Sequence, residues 1–575
     1  MKTRILLLVA LFLTLFSSCK KEKANKIVVP KVTAKVSCMP ITTDKDWYTS
    51  GKTAPLFKNL GDFNRTITTS VPLAQQYFNQ GMVLAYGFNH AEATRSFYYA
   101  TQLDPNSPMA FWGYAYVLGP NYNAGMESDN YERAYNAIQK AIALLNENTP
   151  IVEKDLIHAL ATRYVALPVE DRSDLDKKYA IEMGKIFQNY PDDPDIGFLY
   201  AESQMNLHPW DLYDKQGNPK EWTPEILRTI NHVLKKSPKH CGIHHLNIHA
   251  VEASKNPGQG LNSAKLYDEG LVPGAGHLVH MPSHIYIRTG DYHKGTKANL
   301  HAIAVDSNYV SNCHAQGVYP LAYFPHNQHF LVATATLEGN SKWALDAANS
   351  LSQNTSLQLM KEPGWSTLQH YYAIPFFVYV KFGKWDTILA FKNEVTDLEY
   401  PKAIEHYARG MAYVGKGEMS KAKAELASLQ ELAGHESLKS ISIWEINSVY
   451  DIVQIAEKIL NAEILATEKK YTESIKLLKR AVAIEDALNY NEPPDWFFSV
   501  RHHLGAVQLE AKQYKTAIQT YSEDLKKFPK NGWALHGLQT AYTLLHDDVN
   551  LQLTNEQLKT AWKTADIELH SSTIK

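Results

Sequence analysis

An internal repeat constrains the fold of this chain more than any other sequence feature. Similar patterns of small and aromatic residues recur at a period near 34 residues, most clearly around 74–105 and 505–529, and again around 286–306 and 403–429. The first unit contains Gly81, Ala93, Phe97, Ala100 and Pro105, and the late unit contains Gly505, Ala517, Tyr521 and Pro529. Small residues let two helices approach closely, and a proline ends the second helix. The repeat therefore predicts stacked pairs of antiparallel helices.

This period resembles that of the tetratricopeptide repeat (TPR). The resemblance implies an all-α fold, a tetratricopeptide-like right-handed α-solenoid of helix pairs with one concave face. Apolar residues with a helical period support this fold, and they occur in 130–145, 151–166, 174–190, 223–236, 369–382 and 449–465.

The amino terminus has the pattern of an export signal. Lys2 and Arg4 precede an apolar stretch that is too short to span a bilayer. The run LFSSC (15–19) resembles a lipobox, which implies cleavage before Cys19 and acylation of its thiol, so that membrane lipid would be a partner. A plain secretory signal with a chance cysteine is the alternative. This start resembles those of Bacteroidota-type lipoproteins and predicts the cell envelope, at the outer membrane, without deciding its periplasmic or surface side.

These patterns divide the chain into five predicted parts. They are a signal peptide (1–18), a flexible tether (19–46), an amino-terminal TPR-like block (47–220), a central histidine-rich block (221–355) and a carboxy-terminal TPR block (356–575).

Charge and motifs exclude several functions. The 58 basic and 60 acidic residues give no excess charge for nucleic-acid binding. After Cys19 only Cys38, Cys241 and Cys313 remain, and this odd count does not form a disulfide framework. The sequence contains no glycine-rich phosphate loop, no serine nucleophile elbow and no Cys-x-x-Cys motif, so nucleotide, esterase and thioredoxin chemistry are not indicated.

Histidine is concentrated in the middle of the chain. Twelve of the 24 histidines lie between His240 and His329. Many have helical spacing, so that they share one stripe of a helix. The three predicted stripes contain His245, His249 and Glu252, then His277, His280 and His284, and finally His326 and His329.

Neighbouring helices of a repeat array lie about 10 Å apart, so imidazoles from different stripes can converge. The eight stripe residues are therefore predicted to bind a metal ion, with Zn or Cu favoured and Ni also suited to imidazole. Glu252 would be a ligand or a general base. The alternatives are a metal-free polar pocket and histidines that are satisfied core or surface residues, which we favour for His240, His293, His301 and His314.

Other residues are predicted to line a ligand groove on the concave face. Arg288 lies one turn after His284, and Asn121, Asn123 and Trp210 lie in two loops that interrupt the repeats. These loops could equally be packed corners. Pro282 cannot donate a backbone hydrogen bond and should kink the helix between His280 and His284.

Longer sequence words resemble a widespread bacterial tetratricopeptide-repeat family. They are FNHAEATRSF (88–97), GPNYNAGM (119–126), IHAVEAS (248–254), HLVHMPSHIYIR (277–288), YFPHNQHF (323–330), PPDW (493–496) and NGWAL (531–535). The resemblance implies a secreted, sometimes lipid-anchored α-solenoid. The family has no settled activity, so it supplies no catalytic residues.

Three functions follow from the sequence. The leading hypothesis is a membrane-anchored repeat lipoprotein that holds a metal ion or a small polar ligand in a histidine-lined groove. The second is a metal-dependent hydrolase or oxidoreductase that uses the same histidines. The third is an accessory binding lipoprotein of a polysaccharide or nutrient-uptake system, with a glycan or protein partner and with Trp112, Trp210 and Trp365 as stacking platforms.

Overall fold

The structure is a computed structural model that describes residues 47–48, 51–313, 319–392 and 395–574, with the side chains of 310–320 not described. All of these residues belong to one compact unit, Val36–Lys575. The predicted signal peptide, tether and Cys19 lie outside the described residues. Within the described part, no helix has both the length and the apolar character needed to cross a membrane.

The described chain is almost entirely helical. Its helices are α1 Pro72–Tyr86, α2 His90–Leu103, α3 Pro108–Leu118, α4 Asn130–Ala143, α5 Ile151–Ala161, α6 Ser173–Asn189, α7 Pro194–Asn206, α8 Thr223–Lys236, α9 Cys241–Glu252, α10 Leu261–Asp268, α11 Gly276–His280, α12 Pro282–Thr289, α13 Tyr292–Cys313, α14 Phe324–Glu338, α15 Ser341–Gln353, α16 Thr367–Lys381, α17 Trp385–Ala390, α18 Glu399–Gly415, α19 Met419–Ala433, α20 Val449–Thr467, α21 Tyr471–Ala487, α22 Val500–Glu510, α23 Tyr514–Lys527, α24 Gly532–Leu545 and α25 Asp548–Ala561. Two short strands, β1 Ser442–Ile443 and β2 Asn447–Ser448, pair antiparallel between α19 and α20.

Consecutive helices pack against each other through most of the described chain, as in a solenoid of helix pairs. The predicted all-α TPR fold is confirmed. Short turns separate the helices, and several helices begin at a capping side chain or a proline. For example, Asn89 accepts a hydrogen bond from the backbone of Glu92 at the start of α2, and Pro108 lies at the first position of α3.

The glycines of the repeat are explained by packing against its aromatic residue. A β-carbon on Gly81 would lie 2.7 Å from the ring of Phe97, and one on Gly113 would lie 2.3 Å from the same ring. In the late repeat, β-carbons on Gly505 and Gly537 would approach Tyr521 to 2.3 and 2.2 Å. The aromatic ring therefore fills the space that these helices leave, as the repeat pattern predicts.

The helix is interrupted at Met281, just before Pro282, where the sequence predicts a kink. Helix α11 ends at His280 and α12 begins at Pro282. Gly290 then ends α12 in the left-handed conformation at φ 75°. Two large apolar cores meet in this region, because Leu278, Met281 and Ile285 belong to the amino-terminal core while Ile287 belongs to the carboxy-terminal one.

Candidate metal centre

The structure brings together seven of the eight predicted ligands. His245, His249 and Glu252 come from α9, while the others are His277 and His280 on α11, His284 on α12 and His326 on α14. The six residues on α9, α11 and α12 are each at most 2% exposed, and His326 is half-buried. The histidines form two groups of three, each with ring nitrogens within 4.8 Å of one another.

Group A consists of His245, His249 and His277. The Nε2 atoms of His245 and His249 lie 3.1 Å apart. On the other side of each ring, Nδ1 of His245 lies 2.6 Å from the carbonyl oxygen of Tyr86, and Nδ1 of His249 lies 2.7 Å from a carboxylate oxygen of Glu252. His277 completes the group, with its ring centroid 5.1 Å from that of His245.

Group B consists of His280, His284 and His326, and it repeats this arrangement. The Nε2 atoms of His280 and His284 lie 2.9 Å apart. Nδ1 of His284 lies 2.6 Å from the second carboxylate oxygen of Glu252, and Nδ1 of His280 lies 2.7 Å from Oδ1 of Asn299. The ring of His326 lies 4.9 Å from that of His280 and 5.6 Å from that of His284.

The hydrogen bonds fix the tautomer of four imidazoles. A carbonyl oxygen and a carboxylate can only accept, so the Nδ1 atoms of His245, His249 and His284 carry the hydrogen. The amide of Asn299 donates through Nδ2 to the carbonyl oxygen of Gly295, which turns its own oxygen toward His280. In the neutral form each ring therefore presents an unprotonated Nε2, and in both groups two Nε2 atoms face each other.

Burial favours the neutral form of four of these rings. Burial, together with the neighbouring imidazoles, lowers the pKa of His245, His277, His280 and His326 well below the ordinary histidine value. Burial opposes ionisation of Glu252, but His284 and His249 outweigh that effect and lower its pKa to about 2. The centre thus combines six imidazoles with one shared carboxylate anion.

The geometry fits metal ions better than direct imidazole contacts. Two lone pairs that point at each other repel unless a proton or a metal ion lies between them. Nitrogen ligands at 2.0–2.1 Å from a tetrahedral ion are separated by about 3.3 Å, so the observed distances need only small ring movements. Histidine ligands typically donate their other ring nitrogen to a carboxylate or carbonyl group, and four of these rings already do.

Glu252 has an orienting position in this arrangement. Its two oxygens lie at hydrogen-bond distance from the Nδ1 atoms of His249 and His284, and one of them also accepts from Tyr490 at 3.2 Å. A carboxylate with these three donors has little capacity left for a proton from substrate, so the geometry does not favour the predicted role as a general base. A third possible ligand set, His249, Glu252 and His284, would require both imidazole hydrogen bonds to be lost.

These residues are buried, whereas the sequence predicts that they line a concave groove. A carboxy-terminal segment packs over the centre, with Trp444, Ile446, Asn491 and Glu492 lining a small cavity of about 30 Å³. This cavity reaches His249, His284 and His326. Coverage by residues so distant along the chain has no local sequence signal.

A larger cavity reaches the other side of the centre. It has a volume of about 530 Å³ and touches His277. Its lining combines apolar residues such as Phe57, Leu84 and Val305 with polar ones such as Lys58 and Asp306. Its size is that of a small-molecule site.

The remaining predicted residues have different environments. His329 lies on α14 one turn after His326, but it is outside both groups and packs against His370, Tyr371 and Phe497. Three residues advance a helix by about 300°, so the His329 side chain points about 60° away from that of His326 and into the carboxy-terminal core, and the geometry does not support its predicted ligand role.

The predicted groove residues surround the centre without forming a groove. Arg288 donates from Nε to the backbone carbonyl oxygen of Glu252 at 3.1 Å. Asn123 and Trp210 line the small cavity, with the Trp210 ring 5.6 Å from that of His249. Asn121 instead shapes its own loop, because its side chain accepts from the backbone of Asn123.

Comparisons with known proteins identify similar folds only. No family model matches the chain, and no curated protein is similar to it in sequence. Among solved structures, a human IFIT1 dimer with m7Gppp-AAAA matches at 14% identity and a TM-score of 0.30, over 87% of this chain and 92% of that one. The TPR domain of P58(IPK) matches at 13% identity and TM-score 0.19, over 85% and 92%. Yeast Tom70 matches at 11% identity and TM-score 0.26, over 86% and 92%. These scores are too low to relate the ligands of those proteins to this chain.

Proposed function

We propose that the protein binds two transition-metal ions side by side, one in group A and one in group B. The observation that carries this proposal is the arrangement of four imidazoles whose Nδ1 atoms all have acceptors and whose Nε2 lone pairs face each other at 3.1 and 2.9 Å. One ion bound by both groups together would fit this arrangement less well, because each group is compact by itself and has its own pair of facing nitrogens.

Donor chemistry restricts the metal. Six imidazole nitrogens suit Zn, Cu or Ni, whereas Mg and Ca require mainly oxygen ligands. Three protein ligands leave a coordination position for water or substrate, which is the arrangement of catalytic rather than structural zinc sites. A metal-dependent enzyme is therefore the form of this function that the two cavities favour, because both reach histidines of the groups.

Metal content tests the proposal directly. The chain without its first 19 residues retains the whole compact unit and should contain close to two metal ions per chain by mass spectrometry. The variant His326→Gln should retain one ion, since group A is left intact. The matched variant His329→Gln changes a buried histidine on the same helix and should keep both.

Fold controls make the result decisive. All three proteins should have the same helical circular dichroism spectrum. A folded wild-type chain that binds no Zn, Cu or Ni, even when these are supplied, would disprove the metal proposal. Equal metal loss in His326→Gln and His329→Gln would show that the assignment of group B is wrong.

We further propose that acylated Cys19 anchors the protein to the cell envelope. The support is the lipobox-like run LFSSC (15–19) followed by a polar segment. Full-length chain expressed with labelled palmitate should carry the label and sediment with membranes. Cys19→Ser should remove both properties, and a labelled Cys19→Ser chain would contradict the proposal.

A further inference from the structure

Few negatively charged side chains contact the two groups. Within the part of the chain that the structure describes, neither group contains a carboxylate or a thiolate. Glu252 is the anion in contact with both groups, and the guanidinium of Arg288 lies against its backbone carbonyl. Two divalent ions would therefore place four positive charges in a buried site where Glu252 contacts both groups, and where Glu492 and Asp306 line the adjoining cavities.

Charge burial favours monovalent ions here. Each ion taken out of water loses favourable hydration, and this loss grows with the charge of the ion. The mutual repulsion of two ions scales with the product of their charges, so it is four times smaller for two monovalent ions than for two divalent ions. Copper has a monovalent state, Cu⁺, and imidazole is among the ligands that suit copper. The ligand count also suits it, because three nitrogen donors satisfy Cu⁺ without a further anion.

The two groups are close enough for their ions to act together. The rings of His249 and His284 lie 5.3 Å apart across the boundary between the groups, and those of His277 and His280 lie 5.5 Å apart. Cavities reach both groups, since the larger one touches His277 and the smaller one touches His284 and His326. A small apolar molecule can thus approach the space between the ions.

We infer that the centre is a copper pair that binds dioxygen between groups A and B. This inference rests on the proposed two-ion function and names the metal and the small-molecule ligand. Each Cu⁺ gives one electron to O₂, two or more Cu–O bonds form, and the O–O bond order falls from two to one. The product is peroxide held by two Cu²⁺ ions, and no proton is needed.

This step conserves the charge of the buried site. Two Cu⁺ ions carry a total charge of two, and two Cu²⁺ ions with one peroxide dianion carry the same total. Electrostatic cost in a low-dielectric site therefore does not oppose the reaction. No separate oxidant or reductant is required, because O₂ is both the ligand and the electron acceptor.

The test uses the chain without its first 19 residues, stripped of metal by a chelator and loaded without oxygen with two equivalents of Cu⁺. Addition of O₂ should then consume one O₂ for two copper ions, measured with an oxygen electrode. An intense near-ultraviolet absorption should appear, and the Cu²⁺ electron paramagnetic resonance signal should be weak because the two spins pair.

Variants separate the pair from a single ion. His326→Gln should bind one copper, lose the stoichiometric O₂ uptake and give an ordinary Cu²⁺ signal after oxidation. His329→Gln should behave like the wild-type protein. Two bound copper ions that take up no O₂, or that give two independent Cu²⁺ signals, would overturn this inference and leave two-ion binding intact. Binding of two Zn²⁺ ions with no affinity for Cu⁺ would do the same, whereas no bound metal of any kind would refute the proposed function itself.

Discussion

The Nε2 atoms of His280 and His284 face each other at 2.9 Å across the break between α11 and α12. Each ring is held from behind, His280 by the amide oxygen of Asn299 and His284 by the carboxylate of Glu252. The same relationship recurs between His245 and His249. The helical array thus presents two preorganised pairs of nitrogen donors, and their preorganisation depends on residues that bind no metal themselves.

Glu252→Gln should weaken the binding of both metal ions. A glutamine side chain ends in one carbonyl oxygen and one NH₂ group. It can therefore accept a hydrogen bond from only one of His249 and His284, and its NH₂ donor must face the other ring. Loss of such an outer hydrogen bond typically lowers metal affinity about 10–100-fold. Competition with a chromophoric chelator measures this change for each ion.

The matched control for this substitution is Glu463→Gln. Glu463 accepts a hydrogen bond from His503 at 2.6 Å in another buried glutamate–histidine pair, outside both groups. Its replacement should leave the metal affinity unchanged. Equal weakening by both substitutions would show that the effect of Glu252→Gln is a general loss of stability.

Asn299→Leu should affect group B alone. It removes the oxygen that accepts from Nδ1 of His280, while Tyr86 still fixes His245 in group A. The hydroxyl of Ser283, 3.1 Å from the same Nδ1, remains as a weaker acceptor, so the loss of affinity should be nearer about 10-fold than 100-fold. A metal titration that stays single-phase would contradict the independence of the two groups.

Gly113→Ala should destabilise the first repeat. The added β-carbon would lie 2.3 Å from the ring of Phe97, which is fully buried. Overpacking of this kind reduces the free energy of unfolding by about 1–3 kcal/mol. Urea unfolding measures the difference. Gly125→Ala is the control, because nothing lies within 4 Å of its β-carbon position, and an equal effect there would contradict the packing explanation.

Lys381 should make stability depend on pH. Its ammonium group is buried over the ring of Trp533 at 3.7 Å and lies 3.0 Å from Nδ1 of His502, which in turn contacts Asp524. Burial lowers the pKa of Lys381 from its ordinary value of 10.5 to about 7. Between these values the unfolded chain binds a proton that the folded chain lacks, so the free energy of unfolding rises with pH.

The comparison with Lys381→Met isolates this contribution. The wild-type protein should gain stability relative to the variant by up to about 1.4 kcal/mol per pH unit between about pH 7 and 9.5, as measured by urea unfolding. The exposed residue Lys384 offers a control, and Lys384→Met should keep the wild-type slope. A slope that is identical in wild type and Lys381→Met would show that this lysine is charged in the folded state.

The repeat period by itself determined the fold. Gly81, Phe97, Gly505 and Tyr521 identify the helix pairs because close helix packing and aromatic filling both require fixed spacing, and that spacing is local in sequence. A kink at Pro282 was equally predictable, since a proline lacks the backbone donor wherever it stands. Helical periodicity also predicted which histidines share a helix stripe.

Only the tertiary structure decided how those histidines combine. His277 and His280 share one short helix yet belong to different groups, and His329 turns away from the centre although it lies one turn after His326. Ring orientation depends on acceptors such as Tyr86 and Asn299, which carry no recognisable signal in the sequence. The burial of the centre depends on the segments around Trp444 and Glu492, which lie far along the chain from the histidine stripes. Periodicity fixes which side chains share a helix face, whereas contacts between distant helices fix where each donor atom points.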